Sequence, residues 1–155
     1  MLRLGSIYHI VRDFAKSVSF YEKFLDMPVS SKNMGRFAQF EFHGKNISLM
    51  NGYFDRDNPD KTIHSGEYTP EFDELAAIAD AENSRKSVMN FWCDDLRAEH
   101  ERVRALNIAD DVTGIRYVFN VAPYYYFQLS DPDGNVIEIT GSYVPDDGEF
   151  DGGAR

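Results

Sequence analysis

Residues 130–140, "SDPDGNVIEIT", join a turn to a strand. Asp131, Pro132, Asp133 and Gly134 are turn formers, while Val136, Ile137, Ile139 and Thr140 read as a mostly buried β-strand. Glu138 breaks the pattern, because a carboxylate in such company is costly unless something pairs with it. Just upstream, "YYYFQL" at 124–129 supplies a partner strand, so the whole stretch predicts a hairpin.

The same hairpin occurs once before. Setting "GKNISL" (44–49) beside "GNVIEI" (134–139) aligns Gly44 with Gly134, Ile47 with Ile137, Ser48 with Glu138 and Leu49 with Ile139. Further upstream, "RDF" (12–14) matches "DDL" (94–96), which aligns Asp13 with Asp95 and hence Ser6 with Val88. Each aspartate follows a β-rich run and is placed to cap the helix after it. The first helix carries Phe14, Ser17, Val18, Tyr21 and Leu25 at helical spacing, and the second carries Leu96, His100, Val103 and Leu106. The chain is therefore a two-module repeat of α+β class. The second module holds about eight more residues between its helix and its hairpin.

The modules occupy residues 1–53 and 87–142. Residues 54–86 form a polar loop followed by a bridging helix, "TPEFDELAAIADAENSRK" (69–86), with Thr69 as its cap, Pro70 at its first position, and Arg85 and Lys86 following its end. Residues 143–155 form an acidic, Gly-rich tail with little to bury, expected to be mobile. One compact domain is expected overall, since 155 residues with 43% hydrophobic content suffice for one good core.

A net charge of −10 disfavours nucleic acid and anionic membrane surfaces as partners and leaves neutral or cationic ligands open. Cys93 is the single cysteine, which excludes an internal disulfide and any multi-cysteine metal site and fits a reducing cytoplasm. The opening "MLRLGSIYHIVRD" lacks the pattern of a secretion signal, and no apolar stretch reaches the roughly 18 residues of a membrane span. A cytoplasmic protein is the expectation.

Two β-α-β-β-β modules, the "RDFAKSVSFYEKFL" helix start after the first strand, and "DPDGNVIEI" closing the last strand resemble the vicinal oxygen chelate superfamily, which includes glyoxalase I, bleomycin-resistance proteins and extradiol dioxygenases. The resemblance covers residues 3 to 142 apart from the bridge. It implies a pair of half-barrels lining one cleft. In metal-dependent members, strands one, four, five and eight each give one ligand to a divalent ion, which holds neighbouring substrate oxygens and stabilises an enediolate-like charge. Carried over, those positions are Ser6, Ser48, Val88 and Glu138. Serine is a poor ligand for such an ion and valine is none, so the expectation is no cofactor and no divalent metal. The histidines do not replace the set. His9 has strand parity opposite to Ser6, His43 is at a hairpin tip, His64 is in a polar loop and His100 is within a helix.

On this resemblance the cleft is lined by Ser6, Tyr8 and Ile10, by Ser48 and Met50, by Val88, Asn90 and Trp92, and by Glu138 and Thr140. Aromatic and apolar walls with a few polar points are how small-molecule pockets are lined. A carboxylate among rings suits a cation, an amine or another hydrogen-bond donor. The competing account pairs Glu138 internally with the hydroxyls of Ser6, Ser48 or Tyr8. In the run 124–127, alternate rings must face opposite sides of the strand, so at least half belong to the core or an interface. Trp92 is open between pocket wall and core.

The leading expectation is a glyoxalase/bleomycin-resistance-like protein that binds a small cationic or aromatic drug or metabolite without metal. The alternative is a lyase or isomerase of the lactoylglutathione-lyase type, acting next to a carbonyl with an ion or with Glu138 as the catalytic acid or base, since burial makes a carboxylate a stronger base. A third is a structural dimer with an unused cleft. A homodimer is compatible with all three.

Overall fold

The computed structural model describes residues 5–61, 74–119 and 122–150. The chain divides into two compact units, Met1–Asn83 and Ser84–Arg155, each built on one four-stranded mixed sheet.

In the first unit, β1 (Ile7–Val11) leads into helix α1 (Phe14–Phe24), and β2 (Ser31–Asn33), β3 (Phe37–Phe42) and β4 (Lys45–Asn51) follow. The sheet order is β1-β4-β3-β2, with β1 parallel to β4 and the others antiparallel. Asp13 caps α1 by accepting from the Lys16 amide at 3.0 Å. The helix ends at Leu25, and Asp26 follows in the left-handed region at φ 51°. The expected inward stripe of Ser17, Val18 and Tyr21 is buried, joined by Phe20 and Phe24, while Leu25 serves as the C-terminal cap. These residues pack over Val11, Ala38, Phe40 and Leu49, all fully buried. The β3–β4 turn uses His43 and Gly44, both at positive φ, as a two-residue hairpin turn requires.

The bridging segment is shorter as a helix than the sequence pattern predicts. Its cap at Thr69 and Pro70 lies outside the described residues, as does His64. Downstream the helix α3 runs over Leu75–Asp80 and stops where Ala81 turns extended at ψ 147°. Asn83 and Ser84 are weak helix formers and cannot carry it further. This helix lies against the first sheet at Gly52, where an added Cβ would fall 2.5 Å from the Ala79 Cβ and 3.1 Å from Ile10. Tyr53 also donates to Asp80. The loop before it contains a short helix α2 (Phe54–Asp57) that the polar composition hid, tied by an Arg36–Asp55 ion pair at 2.9 Å.

The second unit repeats the plan with β5 (Val88–Cys93), helix α4 (Leu96–Leu106), β6 (Arg116–Phe119), β7 (Pro123–Ser130) and β8 (Val136–Gly141), in the order β5-β8-β7-β6. Asp95 caps α4 through the Ala98 amide at 3.0 Å, as the repeat predicts. Phe127, Leu129, Ile137 and Ile139 form the helix-facing core. Gly141 has no room for a side chain, since an added Cβ would sit 2.2 Å from the Cys93 carbonyl oxygen. The "DPDGN" turn is organised by Asp131, whose carboxylate accepts from the amides of Asp133 and Asn135 and from the Asn135 side chain, at 2.8–2.9 Å.

After β8 the chain packs onto the helix side of its own unit. Tyr143 and Phe150 join Tyr117 and Tyr125 in a ring cluster with centroids 5.1–6.3 Å apart. Arg97 reaches Asp146 at 3.3 Å and covers the Tyr143 ring at 5.0 Å. Among the described residues no helix is long and apolar enough to cross a membrane.

Candidate functional site

Strand register sorts the sequence-predicted residues into faces. In the first unit Tyr8 pairs with Ser48, Ile10 with Met50, and Gln39 with Ser48, so these share the face turned away from α1. Ser6 has the same parity. Tyr8 is 53% exposed and stacks edge-on against Phe37 at 6.4 Å. Ser48 is fully buried, and its hydroxyl has no hydrogen-bond partner. His9 pairs with Leu49 and therefore shares the helix side, as its parity predicts.

In the second unit Asn90 pairs with Glu138, Trp92 with Thr140, and Gln128 with Glu138. The face turned away from α4 thus carries Val88, Asn90, Trp92, Glu138 and Thr140 together with Tyr124, Tyr126 and Gln128. Trp92 is 77% exposed, which decides that it is not core in this unit. Thr140 is buried, and its hydroxyl donates to the Tyr125 carbonyl at 2.8 Å.

Glu138 sits at the centre of this face. Its Oε1 accepts from the Tyr124 hydroxyl at 2.9 Å and from Asn90 Nδ2 at 3.0 Å, and its Oε2 accepts from Gln128 Nε2 at 2.9 Å. Asn90 Nδ2 also donates to the Tyr124 hydroxyl at 3.2 Å. The competing account names Ser6, Ser48 or Tyr8 as internal partners; the donors present come from the carboxylate's own module, Asn90 and Gln128 because they pair with Glu138 directly across the sheet, and Tyr124 by reaching along the same face. All three donors are neutral, so among the described residues the carboxylate is oriented without an ion-pair partner. Burial raises the Tyr124 pKa above the ordinary phenol value, and its hydrogen bond to Glu138 raises it further.

Gln128 is itself held from behind. Its amide donates to Thr113 Oγ1 at 3.0 Å, its carbonyl accepts from the Thr113 amide at 2.9 Å, and the Thr113 carbonyl accepts from His100 Nε2 at 2.8 Å. The His100 ring packs on Phe127 with centroids 4.9 Å apart. A further anchor joins the Ser130 amide to Asp111 at 2.9 Å. Part of the additional length of the second module therefore forms a loop that fixes the strand bearing Gln128.

Tyr124 and Gln128 were absent from the sequence-derived site. A signal existed for Gln128: a loop over 131–135 puts Ser130 opposite Val136, and counting back places Gln128 opposite Glu138, whereas Tyr124 lies four residues further along β7 and no such count marks it.

The residues do not fit a divalent ion. Ser48 and Val88 bring no anionic or imidazole donor, Glu138 already accepts three hydrogen bonds, and among the described residues no three His, Cys, Asp or Glu side chains are grouped to hold a metal.

Two β-α-β-β-β modules, each closing on a parallel strand pair, define the vicinal oxygen chelate class of fold. The chain belongs to the Glyoxalase/Bleomycin resistance protein/Dioxygenase superfamily, which it matches over residues 3–139. Among solved structures it is similar to a glyoxalase/bleomycin resistance protein/dioxygenase from Nocardioides, with 19% identity, a TM-score of 0.62, and coverage of 91% of this chain and 83% of that one. It is also similar to the fosfomycin resistance protein FosX from Mesorhizobium loti, at 18% identity and TM-score 0.56, covering 93% and 95% of the two chains. A lactoylglutathione lyase from Agrobacterium tumefaciens matches at 16% identity and TM-score 0.57, covering 92% and 93%. Identities this low establish the shared fold alone. No curated protein sequence matches the chain.

Proposed function

We propose that this protein binds a small molecule on the open face of its second sheet, without a metal ion, with Glu138 as the anchor. The observation that supports this reading is a carboxylate oriented by three neutral donors and, among the described residues, in no ion pair, on a face where Trp92 and Val88 stand exposed. An uncancelled charge attracts a cation or a hydrogen-bond donor, and an exposed indole offers an apolar or cation–π surface beside it. The first unit's open face, with Tyr8, Ile10 and Met50 around Ser48, is proposed as a second ligand-facing surface.

Trp92 is the single tryptophan of the chain, so its emission reports this face directly. A panel of cationic, neutral and anionic aromatic compounds, titrated in the presence of a chelator, should contain a class that changes Trp92 emission and raises the melting temperature. A panel with no such class would refute the reading.

A second reading keeps the site and adds chemistry. Glu138 Oε2 has acceptor capacity beyond Gln128, so it is placed to take a proton from carbon next to a bound carbonyl, in the manner of a lyase or isomerase. Solvent deuterium exchange into a hemithioacetal, followed by NMR in chelator, should then depend on Glu138. Equal exchange by wild type and Glu138→Gln would remove this reading.

A further inference from the structure

The hydrogen-bond inventory of Glu138 constrains what its ligand can be. A carboxylate has about four lone-pair sites, two on each oxygen. Oε1 accepts from both Tyr124 and Asn90, which fills it, whereas among the described residues Oε2 accepts from Gln128 alone. One acceptor site remains, on one oxygen. Gln128 holds Oε2 in place and is itself pinned by Thr113 on both backbone atoms. Its side-chain oxygen accepts from Arg116 at 3.4 Å, which orients the amide with its NH2 towards the carboxylate.

We propose, resting on the reading that this face binds a small molecule, that its ligands carry a primary or secondary ammonium, which donates through a single point to Glu138 Oε2. Planar forked cations such as guanidinium and amidinium bind both oxygens of a carboxylate in parallel, and here they would have to displace Tyr124 or Asn90 from Oε1. A neutral donor fits the geometry but leaves the charge of Glu138 uncancelled. Trp92 pairs with Thr140, two residues beyond the Asn90–Glu138 pair, and so stands about 7 Å along the same face. That spacing suits a ligand with an apolar or aromatic body beside its ammonium. Tyr124 is thus a specificity-determining residue, since its hydroxyl occupies the acceptor site that a forked cation needs.

The test compares benzylamine, benzamidine and benzyl alcohol by Trp92 quenching in chelator, on the full chain and on Tyr124→Phe. On wild type, benzylamine should bind at least fivefold more tightly than either of the others. In Tyr124→Phe, with one Oε1 site released, benzamidine should gain until it lies within twofold of benzylamine. Circular dichroism checks that the variant is folded. Should it not be, Asn90→Ala releases the same oxygen and replaces it. Benzamidine or benzyl alcohol binding wild type as well as benzylamine does would overturn the ammonium inference while leaving a ligand-binding face. Binding by none of the three overturns the inference, and the broader panel then decides the face itself.

Discussion

Replacing Glu138 by Gln keeps the side-chain shape and removes its charge. With the new carbonyl oxygen where Oε1 stands, Tyr124 at 2.9 Å and Asn90 at 3.0 Å keep their acceptor. The new NH2 then faces Gln128 Nε2, donor against donor, across the 2.9 Å now spanned by a hydrogen bond. Gln128 resolves this by turning its amide over, at the loss of the bond from Arg116, which at 3.4 Å is weak. Three charge-assisted bonds become neutral ones, a difference of roughly 0.5 kcal/mol each at the low end suited to a half-exposed site, so about 1.5 kcal/mol in all. The exchanged pair, Gln128→Glu with Glu138→Gln, restores a carboxylate facing an NH2 and brings the charge towards Arg116. It should recover stability to within about 0.5 kcal/mol of wild type. It should not recover ligand binding, because the charge has left its place beside Asn90 and Trp92. Urea unfolding followed by circular dichroism at pH 7 in chelator measures both variants. A single variant within about 0.3 kcal/mol of wild type, or an exchanged pair no more stable than the single, would refute this account of the network.

Other expectations follow from the second unit's packing. Gly141→Ala places a methyl 2.2 Å from a strand backbone oxygen that cannot swing aside, and should cost about 3 kcal/mol in urea unfolding, with a loss under about 1 kcal/mol contradicting the contact. Burial, followed by the charges of Glu99, Asp95 and Asp94, pushes the Cys93 thiol up to about 11 from 9.0. Its thiolate population at pH 8 is therefore about 100-fold below that of an ordinary thiol, and iodoacetamide should label it correspondingly slowly until urea is added. Burial and the Glu149 hydrogen bond raise Tyr143 from 10.0 to about 12. Because the folded value lies above the unfolded one, its contribution to stability is complete below about pH 10 and is lost as pH rises towards about 12. Alkaline absorbance titration should show a phenol ionising near pH 12 that is missing in Tyr143→Phe, and an unchanged titration in that variant would contradict the assignment.

The sequence by itself determined the modular plan. Caps at Asp13 and Asp95, glycines at the two hairpin turns and the β-branched closing strands are local signals, and each acts within a few residues of where it is written. Strand parity was legible for the same reason, so spacing showed that Asn90 and Trp92 share one face of their strand, while the family resemblance supplied which face Ser48, Asn90, Trp92 and Glu138 occupy. The partners of Glu138 were another matter. Tyr124, Asn90 and Gln128 come from two other strands, and only the register of the parallel β5–β8 pair and of the hairpin brings them to the two carboxylate oxygens. Tyr143 and Phe150, set in acidic sequence that gives little sign of burial, likewise acquire their role from rings on Tyr117 and Tyr125. Periodicity specifies which way a side chain points, whereas pairing across strands distant in sequence decides what it meets, and that is fixed only when the sheet forms.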